Sequence, residues 1–424
     1  MLCPREAWFF SVREEATLAR VTTLTLVMAG GAGGRMEQLT AHRAKPALPY
    51  AGVYRLIDFP LSNCMHSGLS DVWVLQQFHP HSLGDHVSNG RPWDLDRTYA
   101  GMRVLHPHLG GSGTGFHQGN ADAVYRNRTV IREFDPDLLL VLSADHVYKL
   151  DYRNAIEHHL QAQADVTLVT TKVVNDDPAR FGVVEVDDGR VTGFEYKPQT
   201  PASDLATTEV FVFDARVLLD GLERLVSEAD GDDDDSNLED FGDDLLPRLV
   251  KKAEVVEYRL ESYWRDVGTI ASYWRSHMDL LAEIPEFDLD DPAWPIYTKA
   301  AQRPPAHIHG SATNENSLIS PGCKIAGRVV NSVLAPGVIV EEGAEVRESI
   351  VLHDAIVHEK AAVRTAIVDS GARIGRRARI GGQPGCDGGR GEVSAAEIAV
   401  IGQRADVAPG GAIDAGARVD PATR

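Results

Sequence analysis

Short apolar runs punctuate the chain from Leu24 to Leu281. LTLVM from Leu24, VWVL from Val72, LLLVL from Leu138, VTLVTT from Val166 and VFVFD from Val210 are rich in leucine and β-branched residues. Stretches with helical apolar spacing lie between them, among them ADAVYRNRTVIREF from Ala121 and YRNAIEHHLQAQA from Tyr152. Such alternation predicts an α/β, Rossmann-like domain with a mainly parallel sheet covered on both faces. Ligands bind such sheets at the carboxyl ends of the strands, where Gly30 and Asp145 both fall.

The pattern then changes. Proline and aspartate gather in IPEFDLDDPAWPIY from Ile284, a linker composition. Beyond it, one aliphatic recurs every sixth residue: Ile319 and Ile325; Leu334, Val340 and Val346; Val351, Val357 and Val363; Val368, Ile374 and Ile380; Ile401, Val407, Ile413 and Val419. This period predicts a left-handed parallel β-helix, each unit forming one side of a triangular coil. QPGCDGGRGE from Gln383 breaks the phase and reads as a loop out of a corner. The expected organisation is an extension over 1–22, a sheet domain over 23–285, a linker over 286–312 and the β-helix over 313–424. The early WFFSV run is cut short by Arg13, Glu14 and Glu15, too soon for a signal sequence or membrane span.

The 424 residues are 43% hydrophobic and 25% charged, with a net charge of −20. That balance argues against a general nucleic-acid or membrane-surface binder, so an anionic substrate needs a local basic cluster. Cys3, Cys64, Cys323 and Cys386 form no CxxC pair, which fits reduced thiols in a cytoplasm. The acidic run Asp232–Asp235 reads as a solvated loop. His79, His81, His86, His106, His108 and His117 lack helical ligand spacing and read as loop histidines.

The first strand runs into Gly30, Gly31, Gly33 and Gly34, with Arg35, Arg43 and Lys45 just beyond. Glycines let backbone N–H groups approach phosphate oxygens, and the basic side chains add charge. No Gly-Lys-Ser/Thr ending follows, and Met36 stands where a dinucleotide fingerprint has its third glycine. Spacing alone leaves phosphate binding and a bare turn equally open. Asp145, ending LLLVLSAD, and Asp266, in YWRDVGT, are able to share one Mg²⁺; Asp266 equally suits a cap on the helix near Thr269.

Several blocks together resemble the ADP-glucose pyrophosphorylase (glucose-1-phosphate adenylyltransferase) family. They are AGGAGGRMEQLTAHRAKPA, YRLIDFPLSNCMHSG, GNADAV, SADHVYKLDY, FGVVEVD, FEYKP, DFGDDLLP, YWRDVGT and DPAWPIY, in family order. The resemblance implies an enzyme that joins ATP and glucose 1-phosphate into ADP-glucose and pyrophosphate, a cytoplasmic homotetramer. It places the triphosphate against Gly30, Gly31, Gly33, Gly34, Arg35 and Lys45, and Mg²⁺ on Asp145 and Asp266. Gly119, Asn120 and Asp122 fall beside the nucleotide. Lys197 meets the sugar phosphate, with Gly182, Tyr196 and Thr207 lining the sugar subsite.

Departures cluster around that subsite. Ala144 replaces the glycine before the aspartate, Tyr196 the glutamate before Lys-Pro, and Thr207, Thr208 and Glu209 a Ser-Met-Gly run. Asp243 replaces a lysine, Asn120 a threonine and His42 the activator-binding lysine. Glucose 1-phosphate recognition and activation are thus open to change. The same chemistry on another sugar or nucleotide, and a non-catalytic regulatory paralogue, are the alternatives. A β-helix acyltransferase would leave the sheet domain unexplained.

Overall fold

A computed structural model describes residues 21–31, 33–107, 115–174, 176–229, 236–382 and 393–422. The extension over 1–20, the acidic run, His108 and the phase-breaking segment 383–392 lie outside the described residues.

The five apolar runs become strands and, with four more, form a nine-stranded sheet in which parallel and antiparallel neighbours are both present. In chain order they are Thr23–Ala29 (β1), Asp71–Gln76 (β2), Gly101–Leu105 (β3), Leu138–Ser143 (β4), Val166–Lys172 (β5), Gly182–Asp187 (β6), Arg190–Tyr196 (β7), Leu205–Asp214 (β8) and Val255–Arg259 (β9). Their spatial order is β3-β2-β1-β4-β8-β5-β9-β7-β6. β3, β2, β1 and β4 are mutually parallel, as are β5 and β9, while β8 and β7 run against their neighbours. Every residue of β4 is buried, because both faces of the sheet are covered. Leu139 and Val141 enter one core, and Leu138, Leu140 and Leu142 the other. A continuous apolar run is thus what this strand requires.

Chain order reverses between β1 and β4, so their carboxyl ends splay apart and leave a crevice. A short antiparallel ribbon completes it. His146–Tyr148 pairs with Trp264–Asp266, and the register sets Asp266 opposite His146. Asp266 therefore ends a strand. The cap of helix Ile270–Asp279 is Thr269, whose side chain accepts from Ser272 N–H in a capping box. The run from Ala121 forms two helices, Asn120–Arg126 and Arg128–Phe134, broken at Asn127.

The C-terminal region is a parallel β-helix of three six-stranded sheets. Leu334, Val351, Val368 and Ile401 stack in successive coils, and the six-residue series fills the interior core. Its first rung, His307–Ile308, pairs with Lys324–Ile325. The β-helix thus begins inside the stretch that the sequence assigns to the linker. Both rung residues are exposed, so this end coil carries little apolar signal.

One flank of the β-helix is apolar outside as well as inside. Ile350, Ile367 and Val400 point outward and pack with Tyr50, Ile270 and Tyr273 of the sheet domain in one shared cluster. A buried ion pair crosses the same boundary. Arg43 Nη2 donates to both oxygens of Asp369, at 2.6 and 2.7 Å. The linker is pinned as well: Trp294 Nε1 donates to Asn63 Oδ1 at 2.8 Å, and Lys149 Nζ to Asp291 at 3.0 Å.

Candidate active site

A cavity of about 490 Å³ occupies the crevice at the strand ends. Gly30 and Gly31 form its floor as β1 turns away, and Arg35 reaches its wall. Gly33 and Gly34 are not on that wall. Gly33 takes φ +68, where an added Cβ would lie 2.9 Å from Thr40 Cγ2. The Thr40 hydroxyl donates to its carbonyl at 2.9 Å, so this glycine shapes the turn. Gly34 opens the short 3₁₀ segment Gly34–Thr40.

Lys45 is the electrostatic centre. Nearly buried, its ammonium pairs closely with Asp145 and lies 3.7 Å from Asp266 Oδ1. Burial works to lower its pKa, but Asp145 and Asp266 outweigh that and raise it. Burial likewise opposes ionisation of Asp145. Lys45, His146 and the Ser143 hydroxyl, which donates at 2.5 Å, hold that carboxyl far below the usual range. Both groups are therefore charged at neutral pH. Asp266 also accepts from Arg180 Nη2 at 3.1 Å, while Arg180 Nη1 meets Asp176 at 2.7 Å.

His146 and Glu209 complete this side. The Thr208 carbonyl accepts from His146 Nδ1 at 3.0 Å, which fixes the ring. Its Nε2 lies 3.7 Å from Asp145 Oδ1, 3.6 Å from Asp266 Oδ1 and 3.9 Å from Glu209 Oε2. Glu209 adopts φ +55, within the irregularity that shifts the β8–β5 register between Thr207 and Val210. Its carboxyl pKa is raised, first by burial and then by Asp145 and Asp266, against the pull of His146.

Across the cavity stand Tyr196, Lys197 and Asp240. The Tyr196 hydroxyl donates to Asp240 Oδ2 at 2.9 Å, and Lys197 Nζ donates to that hydroxyl at 2.6 Å. Burial, reinforced by Asp240, raises the Tyr196 pKa. Gly242 lies directly against the Tyr196 ring, with no room there for a Cβ.

Gly119 and Asn120 line the cavity, and Asn120 Oδ1 accepts from Phe241 N–H at 2.6 Å. Asp122 does not join them. It is fully buried, accepting from Arg126 Nε at 2.9 Å, Ser236 Oγ at 2.6 Å and Gln118 N–H at 2.9 Å, so it braces the loop. Gly182 and Thr207 also stay off the wall. Gly182 packs under Phe194, where a Cβ would come within 2.9 Å of the ring, and Thr207 Oγ1 would be 3.0 Å away. Sequence reasoning assigned no role to Arg180, His146 or Asp240. Each stands in or beside a matched block, which was the available signal. Two of the histidines read as loop residues, His81 and His86, instead lie on helix Pro80–Val87, and His86 is buried there with its Nε2 2.5 Å from Asp58 Oδ1.

The geometry can hold a polyphosphate between glycine backbone and cations, set a second phosphate by Lys197, and offer paired carboxylates to a cation. Comparisons with known proteins agree. The nucleotidyl transferase family model matches residues 24–283, and the GlmU-like C-terminal hexapeptide model matches residues 304–401. A glucose-1-phosphate adenylyltransferase of Acetivibrio thermocellus is 37% identical over 94% of this chain and 93% of its own. Its namesake in Thermomicrobium roseum is 43% identical over 84% of this chain and 82% of its own. That of Halalkalibacterium halodurans is 42% identical over 76% and 83%. With both regions matched in the same order, the chain belongs to the glucose-1-phosphate adenylyltransferase family.

Proposed function

We propose that this cavity joins ATP to glucose 1-phosphate, releasing pyrophosphate and forming ADP-glucose for glycogen or related glucan synthesis. The observation that carries the reading is Lys45, buried beside the glycine turn and held charged by Asp145 and Asp266. A phosphate oxygen of the sugar phosphate attacks the α-phosphorus, and the bond to the departing pyrophosphate breaks. The nucleophile is already an anion at neutral pH, so no general base is needed. What remains is alignment and charge neutralisation. Arg35, Lys45 and the Gly30–Gly31 backbone face the triphosphate, and Lys197 the sugar phosphate.

Asp145 and Asp266 suit Mg²⁺ in kind. Both are oxygen donors within reach of one ammonium, a position a small hard cation can share. Bound there, the ion would neutralise charge on the phosphate oxygens. The reading includes a cytoplasmic homotetramer, as the family resemblance implies. Among the described residues no helix is long and apolar enough to cross a membrane. The non-catalytic alternative draws on the substitutions gathered at the sugar subsite, among them Ala144, Tyr196, Thr208 and Glu209.

The test is pyrophosphate release with Mg²⁺ across a grid of nucleoside triphosphates and sugar 1-phosphates. A maximum at ATP with glucose 1-phosphate supports the reading. A maximum elsewhere moves the substrate, and a flat grid overturns catalysis.

A further inference from the structure

His146 is 3% exposed, and its Nδ1 must donate, because its partner is the Thr208 carbonyl. That contact leaves Nε2 as the ring nitrogen facing the cavity, and no hydrogen bond reaches it among the described residues. Histidines that bind metals are commonly set this way, the far nitrogen tied to a backbone carbonyl so that the near one is basic and aimed. Around that nitrogen stand oxygens of Asp145, Asp266 and Glu209, at 3.7, 3.6 and 3.9 Å. Donor atoms of Asp145, His146 and Glu209 all lie within 4.8 Å of one another. An ion with ligands at about 2.1–2.2 Å spaces them roughly 3 Å apart when adjacent and 4.3 Å when opposite, so a small inward movement closes the set.

We propose that His146 and Glu209, together with Asp145, bind a divalent transition-metal ion before nucleotide arrives, with Mn²⁺ preferred over Mg²⁺. The imidazole nitrogen is the reason for the preference. Mg²⁺ takes oxygen donors and keeps its water, whereas nitrogen adds affinity for first-row transition ions. Glu209 supplies the second carboxylate of that set from a left-handed backbone position that glycine would fill without strain. The inference extends the reading of this cavity as a nucleotidyl-transfer site and rests on it for the ion's use, though not for its binding.

The experiment titrates the full chain, free of nucleotide, with Mn²⁺ alone and reads binding by electron paramagnetic resonance. Pulsed spectra then report any nitrogen coupled to the bound ion. The expected result is one bound Mn²⁺ with an imidazole nitrogen signal that Glu209→Gln retains. Glu209→Gln and Glu209→Gly should each weaken Mn²⁺ at least tenfold and narrow the gap to Mg²⁺. The glycine variant also relieves the backbone, so loss of fold does not explain its result. His146→Asn should abolish the nitrogen signal. Unchanged Mn²⁺ affinity in both Glu209 variants, or no coupled nitrogen in the wild type, overturns the proposal. Pyrophosphate release on the same preparation separates the two readings. Activity without the nitrogen signal removes this site alone, and the signal without activity in any substrate pair removes the reaction alone.

Discussion

The β-helix interior and the cavity at the strand ends solve opposite problems. In the β-helix, Leu334, Val351, Val368 and Ile401 repeat one apolar contact coil after coil. Each member has near-identical neighbours, so no single position decides the fold. In the cavity, Lys45, Asp145, Asp266, His146 and Glu209 gather charge that is partly withdrawn from water. No other position duplicates any of them. Stability is spread over a repeat, and chemistry is concentrated in a few side chains whose worth depends on one another.

Substitutions should expose that difference, and the largest effect is expected in the cavity. Asp145→Asn should cut kcat about ten-thousand-fold, equal to about 5.5 kcal/mol, with the melting temperature close to wild type. Activity within tenfold of wild type would place the essential charge elsewhere.

At the boundary between the regions, Asp369→Ala should cost about 3–5 kcal/mol, since it strands buried Arg43. Denaturant unfolding measures it. An Arg43→Met/Asp369→Leu double variant should recover most of the loss, and failure to recover would mean the pair contributes more than mutual neutralisation. Within the repeat, Ile374→Ala should cost about 3 kcal/mol through lost burial and a cavity. KM for ATP should stay unchanged, and a shift in KM would show that the interior of the β-helix is coupled to the site.

Acid should act on the sheet domain through His277. Burial pushes its imidazole down to about 4, against the pull of the Tyr273 carbonyl. Ala51 N–H donates to its Nε2 at 3.1 Å, a bond only the neutral ring can accept. The unfolded chain, with an ordinary histidine value near 6.5, binds the proton first. Stability is therefore complete above about pH 6.5 and falls as pH drops towards 4, by roughly 2 kcal/mol between pH 6.5 and 5. His277→Gln should flatten that slope in unfolding curves. The smallest effect is Tyr196→Phe. Loss of the hydroxyl between Asp240 and Lys197 should raise KM for the sugar phosphate about fivefold, near 1 kcal/mol, and leave KM for ATP unchanged.

The β-helix was legible because a period-six pattern reports side-chain direction at every position. The same pattern hid its docking flank. Ile350, Ile367 and Val400 each precede an inward aliphatic, and counting one per unit passes over the second. Gly30 and Asp145 were legible from their place at strand ends, and Lys45 from the basic stretch that follows the glycine turn. Asp122 was misplaced because a matched block gives neighbourhood and not direction, and its helix turns it inward. Arg180 reaches Asp266 across 86 positions, a pairing that composition and spacing do not encode. Asp266 itself was separable from a helix cap only through the ribbon register that sets it opposite His146.

The Arg43–Asp369 pair has a consequence for synthesis. Arg43 lies two residues before Lys45, yet its partner is 326 positions later in the chain. At about 5–20 residues per second, a ribosome needs roughly 16–65 s to make that interval. During this time the nascent sheet domain holds Arg43 without the carboxylate that lets it be buried. The segment leading to Lys45 lacks this buried partner until the fourth β-helix coil emerges, so a truncated or half-made chain carries Lys45, Asp145 and Asp266 without the contact that ties their surroundings to the β-helix.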